Sequence, residues 1–272
     1  MRYESLIVER RGLVGWITLN RPEALNSHSI AMHRELPQAW HEMSADDGVR
    51  VVVITGAGRA FATGADVKEL AAVGGMAERL AMVDPTDKPA TRPTLGPRAQ
   101  EVWKPVIAAV NGVCAGGGLH YVAEADIVLA SSLATFVDTH VSVGQVAALE
   151  PISLASRMPF GAIMRMALVG RYERLSAARA YELGLVDEVI DPPERLQEAA
   201  QQLAETIAKN SPSAMMATKR AIWGALENHR PEALAKGYAL LEKFWDHPDN
   251  REGPRAFAEK RDPQWAPPTM TY

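Results

Sequence analysis

The chain has 272 residues, of which 47% are hydrophobic and 23% are charged, a balance typical of a soluble globular protein. Its net charge of −4 argues against a nucleic-acid partner, and no apolar run reaches the ~20 residues that span a bilayer. A single cysteine, Cys114, and no apolar segment typical of an export signal lead us to expect a cytoplasmic protein.

The first predicted elements are two strands and a helix. Alternating apolar residues predict strands over residues 6–10 and 14–20, with Arg11-Gly12 as the hairpin turn. Asn26 or Ser27 is then placed to cap a helix that ends near Met43, although Pro37 limits its regularity.

Two strand, glycine-turn and helix units follow. In the first, a strand over 49–54 leads into a turn over 55–64 and a helix from Ala65. In the second, a strand over 106–110 leads to the glycines of 116–118, a short helix and a strand over 127–130. Two such units point backbone N–H groups into one crevice, where open α/β sheets bind ligands. Glycines at a helix start favour developing negative charge, but a turn that only packs a helix on a sheet is the alternative.

Between the two units, residues 73–97 are rich in proline and glycine. This composition predicts an irregular segment, either a lid over a binding site or a plain surface loop. Further along, the pattern predicts a helix after Pro159, a helix over 177–183 capped by Ser176, and a strand over 186–190. From about Glu194 onward it is helical, so we expect a core over 1–193 and a C-terminal helical region over 194–272.

Six motifs span nearly the whole chain: LNRPEALN (19–26), VVVITGAGRAFATGADVKEL (51–70), KPVIAAVNGVCAGGGL (104–119), SAARAYELGLVDEV (176–189), KNSPSAMMATKRAI (209–222) and REGPRAFAEKRDPQW (251–265). In this order they resemble the crotonase, or enoyl-CoA hydratase/isomerase, superfamily. The resemblance implies an α/β spiral of ββα units with a C-terminal helical oligomerisation region, in a homotrimer or a dimer of trimers. It also implies an acyl-CoA substrate of fatty-acid-type metabolism and no separate cofactor, since coenzyme A enters as part of the substrate.

The resemblance also implies site residues. The backbone N–H groups of Ala65 and Gly117 match the two donors that hold a thioester oxygen as it becomes an enolate, a site called the oxyanion hole. The resemblance also implies contacts to the acyl-CoA from Ala24, Ala65, Asp66, Val67, Lys68, Gly117, Phe257 and Lys260. The last two lie near the C-terminus and are commonly supplied across a subunit boundary.

The chain departs from the family at the two glutamates that hold water in a hydratase. His120 occupies the first position and His140 the second, while Glu150 lies in a predicted turn over 144–151. Imidazoles titrate near neutral pH and keep acid/base chemistry available, with Glu124 at i+4 as a group that either attracts a proton or orients the His120 ring. A metal held by the two histidines is disfavoured because they come from separate elements, so we expect no metal.

Three functions follow from this pattern. The first is an enoyl-CoA hydratase/isomerase-family enzyme, a lyase or isomerase, that uses His120 and His140. The second is a hydrolase of C–C or thioester bonds, of retro-Claisen type, that uses His140 and Glu150. The third is a non-catalytic acyl-CoA-binding protein. His28 is interpreted as a surface residue, or alternatively as a neighbour of the pantetheine arm, and His33, His41, His229 and His247 are interpreted as surface residues.

Overall fold

The computed structural model describes residues 3–83 and 95–269, which form ten strands in two sheets and eleven α-helices. The strands are β1 (Leu6–Arg11), β2 (Val14–Leu19), β3 (Val51–Gly56), β4 (Ala60–Ala62), β5 (Val106–Val110), β6 (Val113–Ala115), β7 (Ile127–Ser131), β8 (Thr135–Val137), β9 (Leu175–Ser176) and β10 (Glu188–Ile190). The helices are α1 (Ile30–Ala45), α2 (Val67–Val73), α3 (Met76–Val83), α4 (Leu119–Glu124), α5 (Leu149–Leu154), α6 (Phe160–Val169), α7 (Ala177–Glu182), α8 (Leu196–Ile207), α9 (Pro212–Ala225), α10 (Arg230–Phe244) and α11 (Asp249–Glu259).

The larger sheet has the order β1-β2-β3-β5-β7-β10, with an antiparallel β1-β2 hairpin and parallel pairing elsewhere. Every residue of β3 and β5 is buried, as the continuous apolar runs predict for strands covered on both faces. Alternate residues face opposite cores, so Val52 packs in the cluster with α1 while Val51 and Val53 pack in the cluster with α8.

The smaller sheet brings the site loops together. Its order is β4-β6-β8-β9, and β4, β6 and β8 run parallel. The chain three times adds one strand to the large sheet, one to the small sheet and then a helix, which confirms the predicted ββα spiral. The C-terminal ends of neighbouring parallel strands lie at one edge, so the loops after Ala62, Ala115 and Val137 meet there. Strands β4 and β6 were not predicted, and the turn expected over 55–64 is wrong in part because β4 lies within it.

Helix α1 begins later than the sequence predicted. Ser29 is its N-cap and accepts a hydrogen bond from the Met32 N–H, so a cap at Asn26 or Ser27 is wrong. Asn26 instead accepts from the Arg21 N–H and donates to the carbonyls of Ala57 and Ala60. These bonds tie the loop before α1 to the turn that carries the first glycine-rich segment.

The predicted irregular segment over 73–97 is wrong in its first part. Gly74 ends α2 with a φ of 98°, and α3 then occupies Met76–Val83. Arg79 of α3 is fully buried, where it donates to the His28 carbonyl and lies 3.4 Å from the Glu69 carboxylate. The remainder of the predicted lid or loop, residues 84–94, lies outside the described residues.

The C-terminal region contributes to the core as well as to the surface. Helix α8 packs on the large sheet through small residues spaced four apart, Ala200, Ala204 and Ala208. Helices α9 and α10 form a hairpin, and α11 is a helix that the pattern did not separate from them. Across residues 3–83 and 95–269, no helix is both long and apolar enough to cross a membrane.

Candidate active site

Two glycine-rich loops lie against each other at the edge where β4 and β6 end. Gly64 has a φ of +77°, and a Cβ at this position would lie 2.9 Å from the backbone nitrogen of Gly117. A side chain there would be strained and would fill the space beside that nitrogen. Gly117 lies in a 3-10 turn, Gly116–Gly118, that leads directly into α4. The glycine turns of the two strand-turn-helix units therefore lie side by side at this edge.

The backbone of Ala65 is held by a short bridge to His28. The His28 N–H donates to the Gly64 carbonyl over 2.7 Å, and the Asp66 N–H donates to the His28 carbonyl over 3.2 Å. Because successive N–H groups of an extended chain point to opposite sides, the N–H of Ala65 points away from His28. The bridge thus fixes Ala65 without using its donor.

A row of acidic and imidazole side chains, here called the carboxylate–imidazole chain, lies beside these loops. Asp138 Oδ1 is 2.7 Å from His140 Nδ1, and His140 Nε2 is 3.7 Å from Glu150 Oε1. The same Glu150 oxygen is 3.0 Å from His120 Nε2. One carboxylate oxygen therefore lies between the two histidines found where the resemblance places glutamates, and it is within hydrogen-bond distance of His120.

The elements of the fold explain this meeting. His120 follows the glycines on α4, while Asp138 and His140 follow β8, the neighbour of β6. Glu150 lies in the first turn of α5, which contacts α4, and not in a turn over 144–151 as predicted. All four side chains of the carboxylate–imidazole chain are at least four-fifths shielded from solvent. Buried charge–imidazole contacts of this kind are stronger than they would be in water.

The contacts shift two ionisations. The hydrogen bond that His140 donates to Asp138 raises the pKa of His140 above 6.5, against the opposing effect of burial. Burial acts to raise the pKa of Glu150, but the hydrogen bond from His120 and the nearby imidazoles outweigh it and lower that pKa. Glu150 is thus an anion at neutral pH, and His140 holds its proton more tightly than a free imidazole does.

Glu124 has a different role from the predicted one. Its Oε1 is 3.9 Å from His120 Nδ1, too far for a hydrogen bond. Its Oε2 accepts from the N–H groups of Arg98 and Ala99, which anchors the loop after residue 94. Glu150, and not Glu124, orients the His120 ring, and His120 Nδ1 is buried without a hydrogen-bond partner among the described residues.

His28 is buried, so its interpretation as a surface residue is wrong. Its side chain is 5% exposed, and its Nε2 is 2.9 Å from the Tyr121 hydroxyl. Burial, together with the nearby His33, Arg79 and His120, lowers the pKa of His28 to about 3. His247 is also buried, at 8% exposure, because its ring stacks on Phe244 with centroids 4.6 Å apart.

The residues predicted to contact coenzyme A lie on the surface around the first loop and on α11. Asp66 caps α2 and lies 3.0 Å from Arg21, while Val67 and Lys68 begin that helix in exposed positions. Ala24 ends a 3-10 turn before Asn26. Phe257 is 88% exposed on α11, and Lys260 follows that helix with a φ of 52°. Within the described ranges, no group of three or more His, Cys, Asp or Glu side chains is arranged to hold a metal ion.

A match to a protein-family model agrees with the glycine-rich loops and the ββα spiral described above. The family model described as enoyl-CoA hydratase/isomerase matches residues 9–268. The chain belongs to the enoyl-CoA hydratase/isomerase family.

Full-length relatives support this membership. The chain is similar to (E)-benzylidenesuccinyl-CoA hydratase of Thauera aromatica, at 34% identity over 92% of this chain and 94% of the relative. Among solved structures, an enoyl-CoA hydratase/isomerase from Mycobacterium paratuberculosis superposes with a TM-score of 0.85 at 40% identity, covering 97% and 99% of the two chains. An enoyl-CoA hydratase from Bacillus anthracis also superposes with a TM-score of 0.85, at 31% identity over 96% and 99%.

Sequence reasoning did not single out two residues that lie at this candidate site. Asp138 stands two residues before His140, and an acidic residue at that spacing on a strand end was a readable signal. Tyr121 was not singled out, because it resembles any other apolar position of α4. Only the fold brings its hydroxyl to His28.

Proposed function

We propose that this family member adds water to the double bond of a 2-enoyl-CoA ester, with the carboxylate–imidazole chain as its acid/base machinery. The observation that carries the proposal is the single Glu150 oxygen between His120 and His140. It lies between two imidazoles, the side-chain type used most often in general acid–base catalysis, and water addition requires proton transfer at adjacent carbons. The hydratase names of similar proteins support the same reaction class.

In the proposed site, the N–H groups of Ala65 and Gly117 bind the thioester oxygen. The close approach of the Gly64 and Gly117 backbones supports this role, because it leaves little distance between the two loops that carry the proposed donors. Donors fixed before the reaction favour the enolate over the neutral thioester, and losing one such donor typically costs about 3–4 kcal/mol.

In the proposed reaction, His140 Nε2 takes a proton from water, and the hydroxide adds to C3 of the acyl group. The electrons of the double bond move onto the thioester oxygen, which forms the enolate. The His120–Glu150 pair then delivers a proton to C2, and the thioester carbonyl returns. The proton on His140 passes across Glu150 to His120, which resets the chain of groups. Asp138 holds the His140 ring with Nε2 toward Glu150.

The predicted contacts to coenzyme A and the predicted oligomer belong to this proposal. Lys68 supplies a cation at the start of α2, and Phe257 and Lys260 complete the nucleotide pocket, in our proposal from a neighbouring subunit. Exposed apolar side chains along a groove of about 950 Å³ between α9 and α10 support a homotrimer or a dimer of trimers; they include Ile222, Leu234, Tyr238 and Leu241.

A second candidate is hydrolysis of a 3-oxoacyl-CoA ester. The 2.7 Å contact between Asp138 and His140 favours it, because a carboxylate-held imidazole is suited to activating water toward a carbonyl. Water would add to the C3 carbonyl, the C2–C3 bond would break, and its electrons would form the same thioester enolate. Protonation at C2 would then release a carboxylic acid and a shortened acyl-CoA.

Turnover of two substrates separates these candidates. Crotonyl-CoA hydration is followed by loss of its conjugated-thioester absorbance, and cleavage of a 3-oxoacyl-CoA by loss of its enolate absorbance. We expect wild-type hydration well above the buffer rate, with His140→Ala reducing kcat by about 100-fold or more. The exposed His41→Ala variant is the matched control and should leave kcat unchanged.

Each outcome has a distinct meaning. Cleavage without hydration replaces the first candidate with the second. Binding of both CoA esters without any turnover leaves an acyl-CoA-binding protein and overturns the enzymatic proposal.

A further inference from the structure

The buried pair formed by His28 and Tyr121 lies directly beneath the two glycine loops. The mechanism above does not use either side chain. Their contacts nevertheless reach both loops.

His28 contacts the first loop through its backbone and the second through its ring. Its N–H and C=O bond to Gly64 and Asp66, on either side of Ala65. Its ring atoms Nδ1 and Cε1 lie 3.4 Å from the point where a Cβ on Gly117 would stand. One residue thus touches the backbone beside both proposed donors.

Tyr121 fixes the ring of His28 from the other side. Its hydroxyl is 2.9 Å from His28 Nε2, and the two rings meet edge to face with centroids 5.4 Å apart. Tyr121 also packs edge to face on Phe61 of β4, the strand that leads to Gly64. The pair therefore joins α4, which follows Gly117, to β4, which precedes Ala65.

The pair is neutral over the whole working range of pH. Burial lowers the pKa of His28 to about 3 and raises that of Tyr121 well above 10. Neither group carries a charge that would stabilise or repel the enolate, so we expect the pair to act through geometry. The Arg79 side chain, which donates to the His28 carbonyl, holds the backbone of the same residue.

We propose that His28 and Tyr121 form a positioning pair that sets the separation of the Ala65 and Gly117 N–H donors, so that both reach one thioester oxygen. This inference rests on the proposed thioester site. Because rates depend steeply on the placement of such groups, loosening the pair should weaken enolate binding more than thioester binding.

Acetoacetyl-CoA tests this directly, because its enolate absorbs in the near ultraviolet and its keto form does not. The variants are His28→Leu, which replaces the imidazole by an apolar side chain of similar size, and Tyr121→Phe, which removes only the hydroxyl. The exposed His41→Leu on α1 is the matched control. Total affinity is measured by calorimetry, and the bound enolate fraction by absorbance before any turnover.

We expect His28→Leu to change total affinity less than about threefold and to lower the enolate-to-keto ratio by roughly tenfold to a hundredfold. Tyr121→Phe should act in the same direction with a smaller effect, and it decides the question alone if His28→Leu does not fold. Unchanged enolate ratios in the folded variants would overturn the inference, even if their thermal stability fell.

Failure of the proposed function looks different. If wild-type protein binds acetoacetyl-CoA with no enolate band, the thioester site is absent and the inference falls with it. If the band forms but no substrate turns over, the proposed reaction fails while the positioning pair stands.

Discussion

Replacing Asp138 by Asn tests the proposed base more sharply than any other single change. The variant keeps the size and the acceptor oxygen of the side chain but removes its charge. In the structure this carboxylate is 1% exposed, accepts from the His140 backbone N–H over 3.0 Å and lies 2.7 Å from His140 Nδ1. A hydrogen bond to a charged group of this kind contributes about 1.5–3 kcal/mol.

That range corresponds to a loss of roughly 10- to 150-fold in kcat if the contact is needed in the transition state. The sign of the pH effect follows from the structure. Asp138 raises the pKa of His140, so its loss lowers that pKa. A base must be unprotonated, and the acid limb of kcat/KM should therefore move to lower pH in the variant.

The unfolding free energy gives an independent check. Because His140 has a raised pKa in the folded protein, its pairing with Asp138 adds stability below the unfolded pKa of ~6.5. That stability is lost as pH rises through the folded pKa. The stability difference between wild type and Asp138→Asn should therefore be larger at about pH 6 than at about pH 9.

The assays are kcat/KM across pH and urea unfolding at the two pH values. Asp47→Asn, on the exposed loop after α1, is the control and should reproduce the wild-type profile. An acid limb that stays in place, or moves to higher pH, would refute the assignment of His140 as the base that Asp138 tunes.

Three further predictions concern the loops and the buried charges. Gly118→Ala should lower the unfolding free energy by about 1–3 kcal/mol, and Tm with it in a thermal scan, because the new Cβ would lie 2.5 Å from the Ala62 carbonyl oxygen. The control is Gly161→Ala on α6, which has open space around it and should raise Tm slightly. The Cβ of Gly117→Ala would meet no atom closer than 3.4 Å, so the variant should keep the wild-type Tm. It should raise KM or lower kcat for acyl-CoA esters, and wild-type kinetics would contradict the proposed thioester site at Gly117. Lys219→Met removes the buried partner of Asp126, 2.7 Å away, and should cost about 1.5–3 kcal/mol in urea unfolding, because Asp126 is one-fifth exposed and keeps two other hydrogen bonds. The exposed Lys236→Met should cost under about 1 kcal/mol.

The family and the main strands could be predicted from local sequence. The run Val106–Val110 is a buried strand in both the prediction and the structure, because burial on two faces demands continuous apolar residues. The motifs around Gly64 and Gly116–Gly118 also identify the family correctly. Gly64 and Gly116 adopt a positive φ, and Gly118 lies too close to Ala62 for a side chain.

Helix boundaries were less well predicted. Asn26 has the chemistry of an N-cap, but its side chain bonds to Arg21, Ala57 and Ala60 instead. Helix α3 was missed because the glycines before it and the prolines after it in the sequence outweighed its own helix-forming residues. Its buried Arg79 has partners on α2 and on the loop before α1.

The sequence by itself determined the family, the two glycine loops and the replacement of both expected glutamates by His120 and His140. Only the tertiary structure decided which groups these histidines meet. Glu150 bonds to His120 and lies 3.7 Å from His140, while Asp138 holds His140. The physical reason is that these side chains stand on separate units of the spiral. Their separations depend on the parallel packing of β6 and β8 and on the contact between α4 and α5, which spacing along the chain does not encode.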